Sequence, residues 1–302
     1  MAEVLTEFST ALSDAVEAGG RYTVRVEARR RLPASGVIWS PDGVILTAHH
    51  VVEWDSNITI GLPDGRAVPA HLVGRDPATD LAVLRLDAAA SSGSLVAAPL
   101  NGDEHLRVGH LVLALGRPGR TVQATLGIVS ALGQAWRTMG GGEIDRYLQT
   151  DTAMYPGFSG GPLVDAAGRV LGINSSALLR GISLTVPVST VRRLAETLLA
   201  HGHVPRGHLG VKVQPVRLPS ASAAQLGQDT GVLLLSVEPG SPAERGGLLL
   251  GDTIVTLDGQ PIRDIDDLMA ILTGDRVGSS VSVRVLRGGE VRDLTAVVGD
   301  RG

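Results

Sequence analysis

Tyr155-Pro156-Gly157-Phe158-Ser159-Gly160-Gly161-Pro162-Leu163 is the stretch on which the reading of this chain turns. One serine stands among glycines, which permit backbone conformations closed to other residues and leave room for a carbonyl group to approach main-chain N–H donors. Alone, such a cluster is an ordinary turn. A serine hydroxyl is also a weak nucleophile at neutral pH, and needs a base whose tautomer a third group holds. Both missing groups have candidates upstream.

His50, in Ala48-His49-His50-Val51-Val52, falls where an apolar run meets a turn. Most of the 8 histidines must be surface or structural residues, and His49 is the nearest rival. The valines after His50 can anchor it. Asp80 runs straight into Leu81-Ala82-Val83-Leu84, so its carboxylate is expected to be partly buried and in need of a hydrogen-bond donor, which a histidine ring can supply. Asp76 suits a loop cap better. The order His50, Asp80, Ser159 is that of chymotrypsin-like proteases.

Around these residues lie many short apolar runs separated by Gly/Pro turns, among them Val44–Thr47 after Ser40-Pro41-Asp42-Gly43, then Leu111–Leu115, Gly127–Leu132 and Val170–Ile173. That spacing predicts a barrel or sandwich rather than an alternating α/β sheet. Gln134–Asp145 reads as a polar, mobile surface loop. Met1–Gly20 has Val4, Leu5, Phe8, Leu12 and Val16 at helical spacing, with Gly19-Gly20 expected to break the helix. A second helix is expected from Ser189 as its cap to Gly202, with Val191, Leu194, Leu198 and Leu199 inside. After a linker at His201–Arg206, strands resume with two helices, one begun by Ser241-Pro242 and one near Asp264. The expected division is an N-terminal helix at 1–20, a catalytic domain at 21–200 and a smaller α+β module at 206–300.

The chain has 302 residues, 43 % hydrophobic and 19 % charged, with a formal charge of -4, so no basic field for nucleic acid exists. It contains no cysteine, which excludes disulfides and thiolate metal sites, and no metal or other cofactor is called for. Its acidic amphipathic start reads as neither signal peptide nor membrane span, so the chain as written is expected to be soluble and cytoplasmic.

These blocks resemble the HtrA/Deg family of serine proteases along nearly the whole chain. The resemblance rests on Leu46-Thr47-Ala48-His49-His50-Val51-Val52, Asp80-Leu81-Ala82-Val83-Leu84, Gly127-Ile128-Val129-Ser130 and Gln149-Thr150-Asp151 through Leu163. It implies a mainly β fold, a chymotrypsin-like double β-barrel with a C-terminal α+β PDZ domain, and an endopeptidase acting on unfolded or misfolded polypeptides. It assigns Ser159 as nucleophile, His50 as base and Asp80 as its orienter, and an oxyanion hole to the N–H groups of Gly157 and Ser159. One departure stands out, since the family generally has Asn where this chain has Phe158. Main-chain donors survive that change, so activity is expected to persist. The resemblance further implies an apolar substrate pocket at Leu184, in Ser183-Leu184-Thr185-Val186-Pro187, and a peptide C-terminus held by the backbone of Leu209, Gly210 and Val211. It also implies a homotrimer joined near Phe8 and Leu12, and a home in the cell envelope. The rival reading is a peptide-binding chaperone or scaffold with a decayed triad; an esterase is more distant.

Overall fold

The computed structural model describes residues 2–30, 32–87, 95–100 and 105–301. The chain divides into two compact units, Met1–His203 and Val204–Gly302. Among the described residues, no helix is long and apolar enough to cross a membrane.

The first unit opens with α1 (Ala2–Gly20) and then β1 (Thr23–Glu27), β2 (Ala34–Ser40), β3 (Val44–Ala48), β4 (Ile58–Gly61), β5 (Ala67–Asp76) and β6 (Leu81–Leu86). These strands close antiparallel in the order β1-β2-β3-β6-β5-β4, with β4 returning to β1. Closure follows from composition. All five residues of β3 are buried, so the strand has no polar face to give to water and no edge to leave open. The Ser40-Pro41-Asp42-Gly43 turn forms as its residues dictate, with Gly43 at φ +90° and its N–H on the Ser40 carbonyl.

A second closed barrel follows: β7 (Leu111–Gly116), β8 (Gln123–Leu132), β11 (Leu148–Thr150), β12 (Pro162–Asp165), β13 (Val170–Ser175) and β14 (Ser183–Pro187), in the order β11-β14-β13-β12-β7-β8. Between β8 and β11, the segment expected to be a mobile loop is instead a hairpin of β9 (Trp136–Arg137) and β10 (Glu143–Ile144). Its apolar content explains the difference. Ile144 is buried, Trp136 meets Tyr147 edge to face, and the Thr138 hydroxyl donates to the Ala78 carbonyl at 2.6 Å.

α1 ends at Gly20, where Gly19-Gly20 is expected to stop it. A Cβ on Gly19 would lie 2.2 Å from Leu115 Cδ1, so this glycine serves close packing against the second barrel. α2 (Val188–His201) begins at Pro187, and Ser189 makes no cap, because β14 leads directly into the helix. Its end is as expected, with Gly202 left-handed and its N–H on Leu198.

The second unit has β15 (Gly207–His208), β16 (Val211–Arg217), α3 (Ser220–Leu226), β17 (Thr230–Val237), α4 (Pro242–Arg245), β18 (Thr253–Leu257), β19 (Gln260–Pro261), α5 (Ile265–Ile271), β20 (Ser280–Arg287), β21 (Glu290–Val297) and β22 (Gly299–Asp300). The main sheet runs β16-β17-β18-β20-β21, with β19 paired to β18, which leaves β16 an edge strand. Val281, Val283 and Val285 alternate inward onto Leu234, Ile254 and Leu268. Ser241 caps α4 with proline at the first helical position, as its sequence predicts. The fold class is therefore mainly β, two six-stranded barrels followed by a PDZ-like α+β unit.

Candidate active site

His50 and Asp80 come from the first barrel. β3 ends at Ala48, and the chain turns through His49–Val51 with Val51 fully buried beneath it, which fixes where His50 emerges. Asp80 precedes β6 and adopts φ +58°, a left-handed conformation uncommon for a residue with a side chain. Its neighbours hold it there. The Asp80 carbonyl accepts the His49 N–H at 3.0 Å, and its Oδ1 accepts the His50 N–H at 2.9 Å. Thr79 and Ala78 donate to Asp76, which acts as the cap of this turn.

The Asp80 carboxylate is 3 % exposed and has no lysine or arginine partner among the described residues. It is satisfied by hydrogen bonds instead. His50 Nδ1 lies 2.8 Å from Oδ2 and 3.0 Å from Oδ1, and the Ser175 hydroxyl donates to Oδ2 at 2.5 Å. An ionised carboxylate only accepts, so His50 carries its proton on Nδ1 and presents Nε2 as a lone-pair acceptor. His49, the rival, makes no such pair: its Nδ1 is buried without a hydrogen-bond partner among the described residues, and burial pushes its ring below the ordinary histidine range, partly offset by Asp80.

Ser159 comes from the second barrel, on the turn before β12. Tyr155-Pro156-Gly157-Phe158 is a turn closed by the Phe158 N–H on the Tyr155 carbonyl at 3.0 Å, with Gly157 at φ +94°. Proline followed by a left-handed glycine fits a type II turn. Gly160 is required by proximity, since a Cβ there would sit 2.2 Å from both the Ser35 carbonyl and Thr47 Oγ1 of the first barrel. The N–H groups of Gly157 and Ser159 donate to nothing among the described residues. The Gly157 carbonyl is turned away by the Ser35 hydroxyl, which donates to it at 2.6 Å.

His50, Ser159 and Gly157 open onto one cleft of about 380 Å³, also lined by Met154, Tyr155, Ser176, Arg29 and Leu32. Within it, Ser159 Oγ lies 2.9 Å from Ser176 Oγ, and no hydrogen bond joins it to His50. The resting arrangement thus has a base paired to its carboxylate and a nucleophile candidate paired to a second serine.

Phe158 does not face this cleft. Its ring is fully buried in the second barrel with Val112, Val129 and Leu163, in the space that Gly116 leaves by having no side chain, and Tyr155 meets it edge to face at 5.8 Å. Leu184 is 2 % exposed on β14 and does not line the cleft, where Met154 takes the apolar position. Ser175 and Ser176 were not singled out by sequence reasoning. The available signal was Asn174-Ser175-Ser176, a polar run at the end of an apolar strand.

In the second unit, Leu209 is buried in the core and its carbonyl accepts the Ala243 N–H. Gly210, at φ +75°, receives the Glu238 N–H, and Val211 opens the edge strand β16. The N–H groups of Leu209 and Gly210 donate to nothing among the described residues. An unpaired edge beginning at free main-chain donors is the geometry by which a sheet takes up an extended peptide and its terminal carboxylate.

Comparison with known proteins agrees with this geometry. Residues 34–173 match the trypsin-like peptidase domain and residues 207–298 the PDZ domain. A probable periplasmic serine endoprotease, DegP-like, from Halomonas elongata is 40 % identical over 280 residues, covering 91 % of this chain and 57 % of the relative. A DegP-like protein from Pseudomonas savastanoi pv. phaseolicola is 40 % identical over 271 residues, covering 88 % of this chain and 55 % of the relative. The chain thus spans a little over half the length of these relatives. Among solved structures, the HtrA-type protease AlgW with decapeptide superposes with a TM-score of 0.74 at 33 % identity, covering 96 % of this chain and 99 % of that one. The serine endoprotease from Yersinia pestis gives a TM-score of 0.75 at 30 % identity, covering 96 % and 98 %. By double barrel, sequence blocks and these relatives together, the chain belongs to the HtrA/DegP-like serine proteases, with a trypsin-like domain followed by a PDZ domain.

Proposed function

We propose that this chain is a serine endopeptidase acting on unfolded or misfolded polypeptides, with Ser159 as nucleophile, His50 as general base and acid, and Asp80 as the residue that orients the imidazole. The observation that carries the reading is the bidentate approach of Asp80 to His50 Nδ1, at 2.8 and 3.0 Å, while the same ring opens with Ser159 onto one cleft. A substrate that displaces Ser176 from Ser159 Oγ frees the hydroxyl to give its proton to His50 Nε2 and attack the scissile carbonyl. The oxygen that becomes negative is received by the N–H groups of Gly157 and Ser159, each such donor being worth about 2.7–4 kcal/mol of barrier. His50 then returns the proton to the leaving amine, and Asp80 with Ser175 steadies the imidazolium between the two transfers. Met154 supplies the apolar wall for the side chain before the scissile bond, with Leu184 buried in β14 and outside the cleft lining.

The protease domain would cover about residues 21–200 and the PDZ domain about 206–300, the latter holding a peptide C-terminus at Leu209, Gly210 and Val211. Two of the AlgW structures carry a decapeptide, which supports peptide recognition in the family. Val4, Leu5 and Phe8 are exposed along α1 and would join copies of the chain into a trimer.

The test is hydrolysis of casein by the wild type and by Ser159→Ala. Cleavage by the first alone is expected, and equal rates would remove the assignment. A second reading, a peptide-binding scaffold with a silenced triad, draws on the pairing of Ser159 with Ser176. A fluorophosphonate, which reacts only with an activated serine, separates the two.

A further inference from the structure

Away from the catalytic cleft, within the first unit, β1, the turn after β4 and the connection from β7 to β8 enclose a cavity of about 450 Å³. Three of its lining residues are arginines, Arg25, Arg117 and Arg120; Gly61, Leu62, Gly65, Ala67 and Gly119 complete it, and no lining residue is acidic. Arg25 gives Nη2 to Glu27 at 2.5 Å, while its Nε–H is buried and donates to nothing among the described residues.

Arg117 is 6 % exposed. Its Nε–H and both terminal nitrogens donate to the carbonyls of Thr23, Arg120 and Gly20, at 2.6–2.7 Å. Every acceptor is neutral, so the hydrogen bonds are met while the charge is not; burial accordingly pushes this guanidinium below its ordinary value. One cavity is thus lined by three guanidinium groups and no carboxylate, and one of them, Arg117, is a buried cation with no anionic partner among the described residues. A compact tetrahedral oxyanion answers that charge, because arginine forks match phosphate oxygens.

We infer that the Arg25–Arg117–Arg120 cavity binds a phosphate group, as the free anion or as a small phosphomonoester, with the terminal nitrogens of Arg25 and the Arg120 guanidinium as donors and Arg117 as the fixed charge behind them. The site reaches the catalytic turn by one path. The Arg117 N–H donates to Ser35 Oγ at 2.7 Å, the same hydroxyl donates to the Gly157 carbonyl at 2.6 Å, and the Ser35 N–H donates to the Ser159 carbonyl at 3.2 Å. An anion that steadies Arg117 therefore steadies the peptide that presents Gly157.

The experiment is calorimetric titration of the full chain with orthophosphate and, separately, with glycerol phosphate, at ionic strength held constant with chloride. Saturable binding of one phosphate per chain is expected, weakened at least tenfold in Arg25→Gln and in Arg120→Gln. The exposed Arg120 variant keeps the fold even if the Arg25 variant does not. Binding of orthophosphate alone assigns the free anion, and binding of both admits the ester. Absence of saturable heat, or affinity unchanged in a folded Arg120→Gln, overturns the site. The binding readout stands apart from peptidase activity, so its failure and that of the proposed function are distinguishable.

Discussion

Ser159 Oγ and Ser176 Oγ lie 2.9 Å apart at the meeting of the β12 turn and the end of β13, while His50 is engaged by Asp80 alone. On the proposed roles, a Ser159 hydroxyl that donates to Ser176 is withheld from His50. Removing the competitor by Ser176→Ala is expected to raise the second-order rate of fluorophosphonate labelling about two- to tenfold, the equivalent of one net hydrogen bond of roughly 0.5–1.5 kcal/mol. An unchanged or slower rate would show that Ser176 positions the nucleophile rather than restrains it.

Phe158 occupies the place where the family generally has Asn, and its ring is 0 % exposed among Val112, Val129 and Leu163. Restoring the family residue should therefore harm this chain. Phe158→Asn places an amide among Val112, Val129 and Leu163 and removes the packing that anchors the turn, so a destabilisation of about 3–5 kcal/mol is expected, comparable to Phe→Ala truncation. Urea unfolding measures it, and a variant as stable as the wild type would refute the anchoring role.

His49 makes stability depend on pH with a definite sign. Its folded-state affinity for protons is lowered chiefly by burial, with Asp80 and Asp76 opposing and Arg75 and His50 assisting. The unfolded chain then binds the proton more readily, so the folded state is fully favoured above the unfolded histidine value of about 6.5 and loses ground as pH falls through it. Between about pH 7.5 and 5.5 the urea midpoint of His49→Gln should fall less than that of the wild type. Equal losses in the two proteins would place the acid sensitivity elsewhere.

Much of the barrel architecture was legible because it rests on local chemistry. Ser40-Pro41-Asp42-Gly43 forms its turn from its own residues, and Val281, Val283 and Val285 declare a half-buried strand by alternation. The juxtaposition of His50 with Asp80 was also legible, since a carboxylate entering an apolar strand needs a donor. What escaped depends on distant partners. The packing role of Gly19 escaped because nothing nearby in sequence announces that Leu115 presses against it. The hairpin at Trp136–Ile144 was hidden by its glycines, its anchor being an Ala78 carbonyl some sixty residues back. Leu184 was assigned to the cleft by position in a motif, and the pleat of β14 turned it inward, where Met154 reaches the cleft from another loop. α3 has no apolar period to betray it and is held by Leu218, Val255 and Leu286.

The division of His50 and Asp80 from Ser159 between two closed barrels bears on the birth of the molecule. Translation delivers His50 and Asp80 long before Ser159 and Ser175 leave the ribosome, and Gly160 lies against Ser35 and Thr47 where the two barrels meet. On the proposed roles, a copy made only through its first barrel holds base and carboxylate without a nucleophile.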